Sequence, residues 1–76
     1  MDLYFKKTCP YCKKVIGYIT DERPELMKYM RFYDIANVNN RNNLIKLGGK
    51  AQVPFLVSNN NTMYESDDII AFLSKL

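Results

Sequence analysis

The stretch Cys9-Pro10-Tyr11-Cys12 stands between two apolar signals, and that placement limits the fold more than any other feature of the chain. Before it, Leu3-Tyr4-Phe5 is a short apolar run that reads as a buried strand. After it, Cys12, Val15, Ile16 and Ile19 recur at i, i+3, i+4 and i+7, which marks one face of an amphipathic helix. Pro10 suits the first position of that helix, where a missing N–H breaks no intrahelical bond. The two cysteines therefore occupy a strand-to-helix junction. With 76 residues in all, the chain has room for one small domain, residues 1–76, with a thin core.

The remaining punctuation continues the pattern. The first helix is expected from about Pro10 to about Thr20, ended by Asp21-Glu22-Arg23-Pro24, with Pro24 opening a short helical turn. Tyr29 to Ile35 reads as a second strand, and a helical crossover between two strands implies that they pair in parallel, as a right-handed βαβ unit. The polar, Asn-rich run from Asn37 to Asn43 reads as a loop leading into a second helix. That helix points Leu44 and Leu47 inward and stops at Gly48-Gly49. Val53 to Val57 is a third strand, Asn59-Asn60-Asn61-Thr62 a turn, and Met63-Tyr64 opens a short fourth strand. Ser66 is expected to cap a last helix, with Asp67 and Asp68 in its first turn and Ile69, Ile70, Phe72, Leu73 and Leu76 as its buried stripe. The order is β-α-β-α-β-β-α, an α/β class.

Two cysteines without a histidine leave three uses open: a structural disulfide, half of a zinc site shared between chains, or a reversible dithiol couple. The surroundings favour the third. Cys9 lies beside a helix N-terminus, where unpaired N–H groups and the positive end of the helix dipole stabilise a thiolate. Lys6, Lys7, Lys13 and Lys14 against Asp2 give residues 1–14 a charge of +3, and the other residues sum to zero, so the whole excess flanks the cysteines. Cys9 is expected to be the nucleophile and Cys12, a turn further into the apolar face, the resolving thiol.

These residues resemble those of a glutaredoxin. The resemblance rests on Lys6-Lys7-Thr8-Cys9-Pro10-Tyr11-Cys12, Gln52-Val53-Pro54 and Ser66-Asp67-Asp68, in order and spacing across essentially the whole chain. It implies a dithiol glutaredoxin with the thioredoxin fold, a four-stranded mixed sheet flanked by three helices. The implied activity is glutathione-dependent reduction of protein disulfides and glutathione mixed disulfides. In a protein of that family Pro54 is cis, and the Val53 backbone pairs with the cysteinyl unit of glutathione. The N–H groups of Ser66 and Asp67 hold the γ-glutamyl carboxylate, and the Asp67 side chain holds the neighbouring ammonium. Lys6 and Arg41 take the glycine carboxylate, and Tyr11 and Gln52 line the groove. The chain departs from the family pattern at Gln52, where Thr is usual, at Lys7, a common Pro position, and at Tyr64-Glu65, where Gly-Gly is usual. The Glu65-Ser66 pair resembles one that contacts the same γ-glutamyl group in the thioredoxin-like domain of glutathione transferases.

The implied partners are glutathione and disulfide-bonded or glutathionylated proteins, and no metal is expected. One rival reading is a redoxin reduced by a thioredoxin reductase and serving ribonucleotide reductase. Another is a dimeric [2Fe–2S] carrier, against which Pro10 counts. A pI of about 8.9 falls below the usual footprint of a nucleic-acid binder. No apolar run is long enough to span a membrane, and Met1 to Lys7 lacks the order of a signal peptide. The expectation is a cytoplasmic monomer.

Overall fold

The computed structural model describes residues 1–76 and contains β1 (Asp2–Phe5), α1 (Pro10–Glu22), a 3₁₀ helix (Pro24–Tyr29), β2 (Arg31–Asp34), α2 (Val38–Gly48), β3 (Phe55–Ser58), β4 (Asn61–Met63) and α3 (Ser66–Ser74). The four strands form one mixed sheet in the order β2-β1-β3-β4. β1 runs parallel to β2 and antiparallel to β3, and β3–β4 is a hairpin. This is the thioredoxin fold that the resemblance implied, with the elements in the order read from the sequence. No helix is long and apolar enough to cross a membrane.

Period-two alternation in the central strands divides the core between the two faces of the sheet. Leu3 on β1 pairs with Phe32 and Leu56 on either side, and Tyr4 pairs with Tyr33 and Phe55. Leu3 and Leu56 pack with Val15 and Ile19 of α1, Leu26 and Met30, and Ile69 and Leu73 of α3. Tyr4 and Phe55 turn to the opposite face, where Leu44 of α2 completes a smaller cluster. Two helices thus cover one face and a single helix the other, which explains why Leu3-Tyr4 reads as continuously apolar.

Several boundaries differ from expectation, each for a local reason. α2 begins at Val38, so Asn39 to Asn43 are helical and do not form a loop. Asn37 is the cap: its Oδ1 accepts the N–H groups of Asn39 and Asn40 at 2.9 and 3.2 Å. Asn40 Nδ2 donates to the Asp34 carbonyl and Asn43 Nδ2 to the Tyr4 hydroxyl, so the asparagines that look like loop residues are tethered to the sheet. Leu47 is exposed, because α2 buries only the narrow stripe centred on Leu44. Leu76 lies past the end of α3 and is exposed as well. β4 starts at Asn61, two residues early, because Asn59 alone takes the left-handed conformation (φ 54°) and closes the turn with Asn60. Glu65, with extended φ and ψ, is the N-cap of α3, and Ser66 is already its first helical residue. β2 spans only Arg31–Asp34, since Pro24–Tyr29 continue as the 3₁₀ helix.

Candidate functional site

The junction after β1 turns back on itself, with the Cys9 N–H donating to the Lys6 carbonyl at 3.1 Å. Cys9 is the N-cap of α1, Pro10 follows at the first position, and the Cys12 N–H donates to Cys9 Sγ at 3.3 Å. The sulfur therefore takes the place that a Ser or Asp oxygen takes at most helix starts. Both cysteines are free thiols, Cys9 half-buried and Cys12 fully buried. Burial, reinforced by a hydrogen bond with Cys9, pushes the Cys12 thiol from an ordinary 9.0 up to about 12. The expected inequality of the two sulfurs is thus present in their exposure.

The loop that leads into β3 approaches this sulfur from the other side. The Val53–Pro54 peptide is cis, and Cys9 Sγ lies 3.9 Å from the Val53 carbonyl oxygen. From there an open groove of about 640 Å³ runs to the start of α3. That volume falls in the range of small-molecule sites. Of the residues the sequence nominated, Tyr11, Gln52, Val53, Pro54, Ser66 and Asp67 line this groove. Three segments far apart in sequence thus converge on one cleft, and neither Cys9 nor Cys12 is among its lining residues. Lys6 and Arg41 are exposed and lie outside its wall. No side chain caps the N–H groups at the start of α3, where Ser66 itself is buried.

Lys14, Tyr64 and Asp68 also line the groove without having been assigned a contact from the sequence, and so does Glu65, which the sequence singled out only through the Glu65-Ser66 pair. Lys14 Nζ reaches from α1 to Asp67 Oδ1 at 2.5 Å. It is the sole cationic side chain in a lining that also holds the carboxylates Glu65, Asp67 and Asp68. The charge excess around the cysteines was the one sequence signal that touched it. Tyr64 packs against Phe55 with ring centroids 4.5 Å apart and planes tilted by 41°, donates its hydroxyl hydrogen to the Lys50 carbonyl at 3.0 Å, and lies under the Lys50 ammonium. Its ring rests directly against Gly48, where a Cβ would strike the hydroxyl. The departure at Tyr64 is therefore built into the packing between α2 and the groove.

Comparison with known proteins adds a family. The family model described as "Glutathione S-transferase, N-terminal domain" matches residues 3–76. No curated protein matches the chain. Among solved structures, glutathione S-transferase 1-6 from Anopheles dirus species B is similar, with a TM-score of 0.68 over 99% of this chain at 23% identity. At that identity the likeness is one of fold. The chain spans 35% of that transferase's length.

Proposed function

The chain belongs to the glutathione S-transferase N-terminal domain family, and within it we propose that residues 1–76 act as one glutaredoxin-type unit, a glutathione-dependent thiol–disulfide oxidoreductase. The observation that carries the reading is the N-cap sulfur of Cys9, 3.9 Å from the carbonyl of Val53, a residue that lines a groove reaching the start of α3. A nucleophilic sulfur and a cleft for the carrier thiol are what such an exchange requires.

In the proposed exchange the Cys9 thiolate attacks the glutathione sulfur of a mixed disulfide. That S–S bond breaks, the other thiol leaves with the electron pair, and Cys9 holds the glutathionyl group. A second glutathione thiolate then attacks, giving oxidised glutathione and free Cys9. With a protein disulfide, Cys12 attacks the Cys9 mixed disulfide instead. Two electrons pass to the substrate, and the resulting Cys9–Cys12 disulfide is reduced by two glutathiones.

Glutathione is proposed to lie along Tyr11, Gln52, Val53 and Pro54, with its γ-glutamyl end at Ser66 and Asp67. An uncapped helix start accepts a carboxylate through backbone N–H groups. Lys6 and Arg41 are assigned to the glycine carboxylate on the resemblance to glutaredoxins, both being exposed cations outside the groove wall.

Transfer of glutathione to an electrophile is a second reading, favoured by the family match. The test is turnover of a small glutathione mixed disulfide, with glutathione plus glutathione reductase in one reaction and thioredoxin reductase alone in another. Turnover with glutathione supports the proposal. Turnover with thioredoxin reductase alone would place the chain among other redoxins. Conjugation of an aryl halide without disulfide turnover would favour the transferase reading.

A further inference from the structure

We infer that Lys14 is a binding residue of the groove, and that the Lys14–Asp67 ion pair receives a zwitterionic α-amino acid end, such as the γ-glutamyl terminus of glutathione. The inference rests on the glutathione reading above and adds to it a residue and a selection rule.

The pair joins two walls. Lys14 projects from the second turn of α1 and Asp67 from the first turn of α3, 53 residues away. Both side chains are well exposed, at 52% and 80%. Ion pairs in such surroundings add little to the stability of a fold, so little opposes their opening. Asp67 is thus available to a ligand, although its partner must first be moved.

Charge decides which ligand gains by moving it. A carboxylate entering this end of the groove meets Glu65, Asp67 and Asp68, with Lys14 the one lining cation to offset them. A lone carboxylate at Lys14 would leave Asp67 unpaired beside it. A lone ammonium at Asp67 would release Lys14 with no new partner. A zwitterion avoids both costs. Its ammonium replaces Lys14 on Asp67, and its carboxylate takes the released Lys14 together with the N–H groups at the start of α3. The charges then alternate, and the groove reads amine and carboxylate as one unit.

The test is single-turnover transfer of the glutathionyl group from a glutathione–mercaptoethanol mixed disulfide to Cys9 of the reduced chain, followed by mass spectrometry. Lys14→Met should raise the half-saturating concentration about ten-fold, the scale of one lost charge-assisted hydrogen bond, with the loss carried by half-saturation and not by the limiting rate. Lys14→Arg, which keeps the cation, should recover most of it. A second probe carries an acetylated γ-glutamyl amine. It should bind the unaltered chain more weakly, and Lys14→Met should weaken it further by less than about two-fold, because the ion pair stays closed against it. A lowered half-saturation in Lys14→Met would make Lys14 a competitor for Asp67 and overturn the inference. So would an equal effect on both probes, or none on the first. Absence of transfer in the unaltered chain would overturn the glutathione reading itself, a result that no Lys14 variant produces.

Discussion

Two residues separate Cys9 from Cys12, and the fold makes the cysteines chemically unlike. Cys9 is half-buried and accepts a backbone N–H, and Cys12 is fully buried with its thiol pushed up to about 12. Cys9→Ser should therefore abolish all disulfide turnover. Cys12→Ser should retain glutathione mixed-disulfide turnover and lose reduction of protein disulfides, and equal losses would end the division of roles. The Cys12 thiolate fraction grows about ten-fold per pH unit below its titration. Closure of the Cys9–Cys12 disulfide from glutathionylated Cys9 should accelerate accordingly between pH 7 and 9, and a plateau near neutrality would contradict this. The same burial links pH to stability. A folded thiol that titrates above its unfolded value of 9.0 holds its proton more tightly than the unfolded chain does. Its contribution is complete below about pH 9 and is lost as pH climbs towards about 12. Burial raises Tyr4 from 10.0 in the same sense. Melting temperatures of the reduced chain should fall above pH 9, less steeply in Cys12→Ala; parallel profiles would remove the assignment. The unequal placement of the two cysteines was legible in the sequence because strand, proline and helix face are local. Lys14 was not, because its partner is 53 residues away.

Helix 2 and the segment before helix 3 show how one packing contact reverses a general rule. Glycine inside a helix ordinarily costs about 1 kcal/mol relative to alanine. Gly17 follows that rule: an added Cβ meets nothing within 4 Å, and Gly17→Ala should stabilise by about 0.5–1 kcal/mol. Gly48 breaks it. Its Cβ would overlap the Tyr64 hydroxyl and approach Tyr64 Cζ to 2.8 Å and Phe55 Cε1 to 3.0 Å. Overfilling of that kind costs about 1–3 kcal/mol, so Gly48→Ala should destabilise. In a Tyr64→Ala background the same change should be neutral or favourable, and denaturant unfolding of the four chains gives the coupling directly. Additive effects would mean that Tyr64 moves aside freely. Gly48-Gly49 was legible as a helix stop, and Gly49 does close the helix at φ 89°. The tyrosine against Gly48 was not legible, since only the fold brings residue 64 to residue 48. Asn37 to Asn43 misled for a related reason. Asparagine is a weak helix former on its own, and its partners here, Asp34 and Tyr4, lie on neighbouring strands.

Across the whole molecule, charge and core are arranged around the same junction. The Arg23 guanidinium donates to the Leu73 carbonyl at 3.1 Å, tying the end of α1 to the end of α3 and leaving their other ends to frame the groove. The excess of +3 belongs to residues 1–14, and its lysines stand beside Cys9: Lys6, Lys7 and Lys13 are exposed, and Lys7 is only loosely paired, at 4.0 Å, with Asp34. A field from one end of a small molecule reaches about 30 Å at 0.01 M salt and about 10 Å at 0.1 M. Approach of an anionic disulfide to Cys9 should therefore slow several-fold, to about a fifth or less, over that range. A neutral disulfide such as hydroxyethyl disulfide should react at nearly constant rate, because only the thiolate and not the encounter is charged. Stopped-flow rates of Cys9 with the two reagents across the salt series measure the difference. Lys7→Glu with Lys13→Glu should reverse the slope for the anionic reagent alone. Both variants lie outside the groove lining, so an equal loss with the neutral reagent would assign the lysines to the reactivity of Cys9 and not to steering.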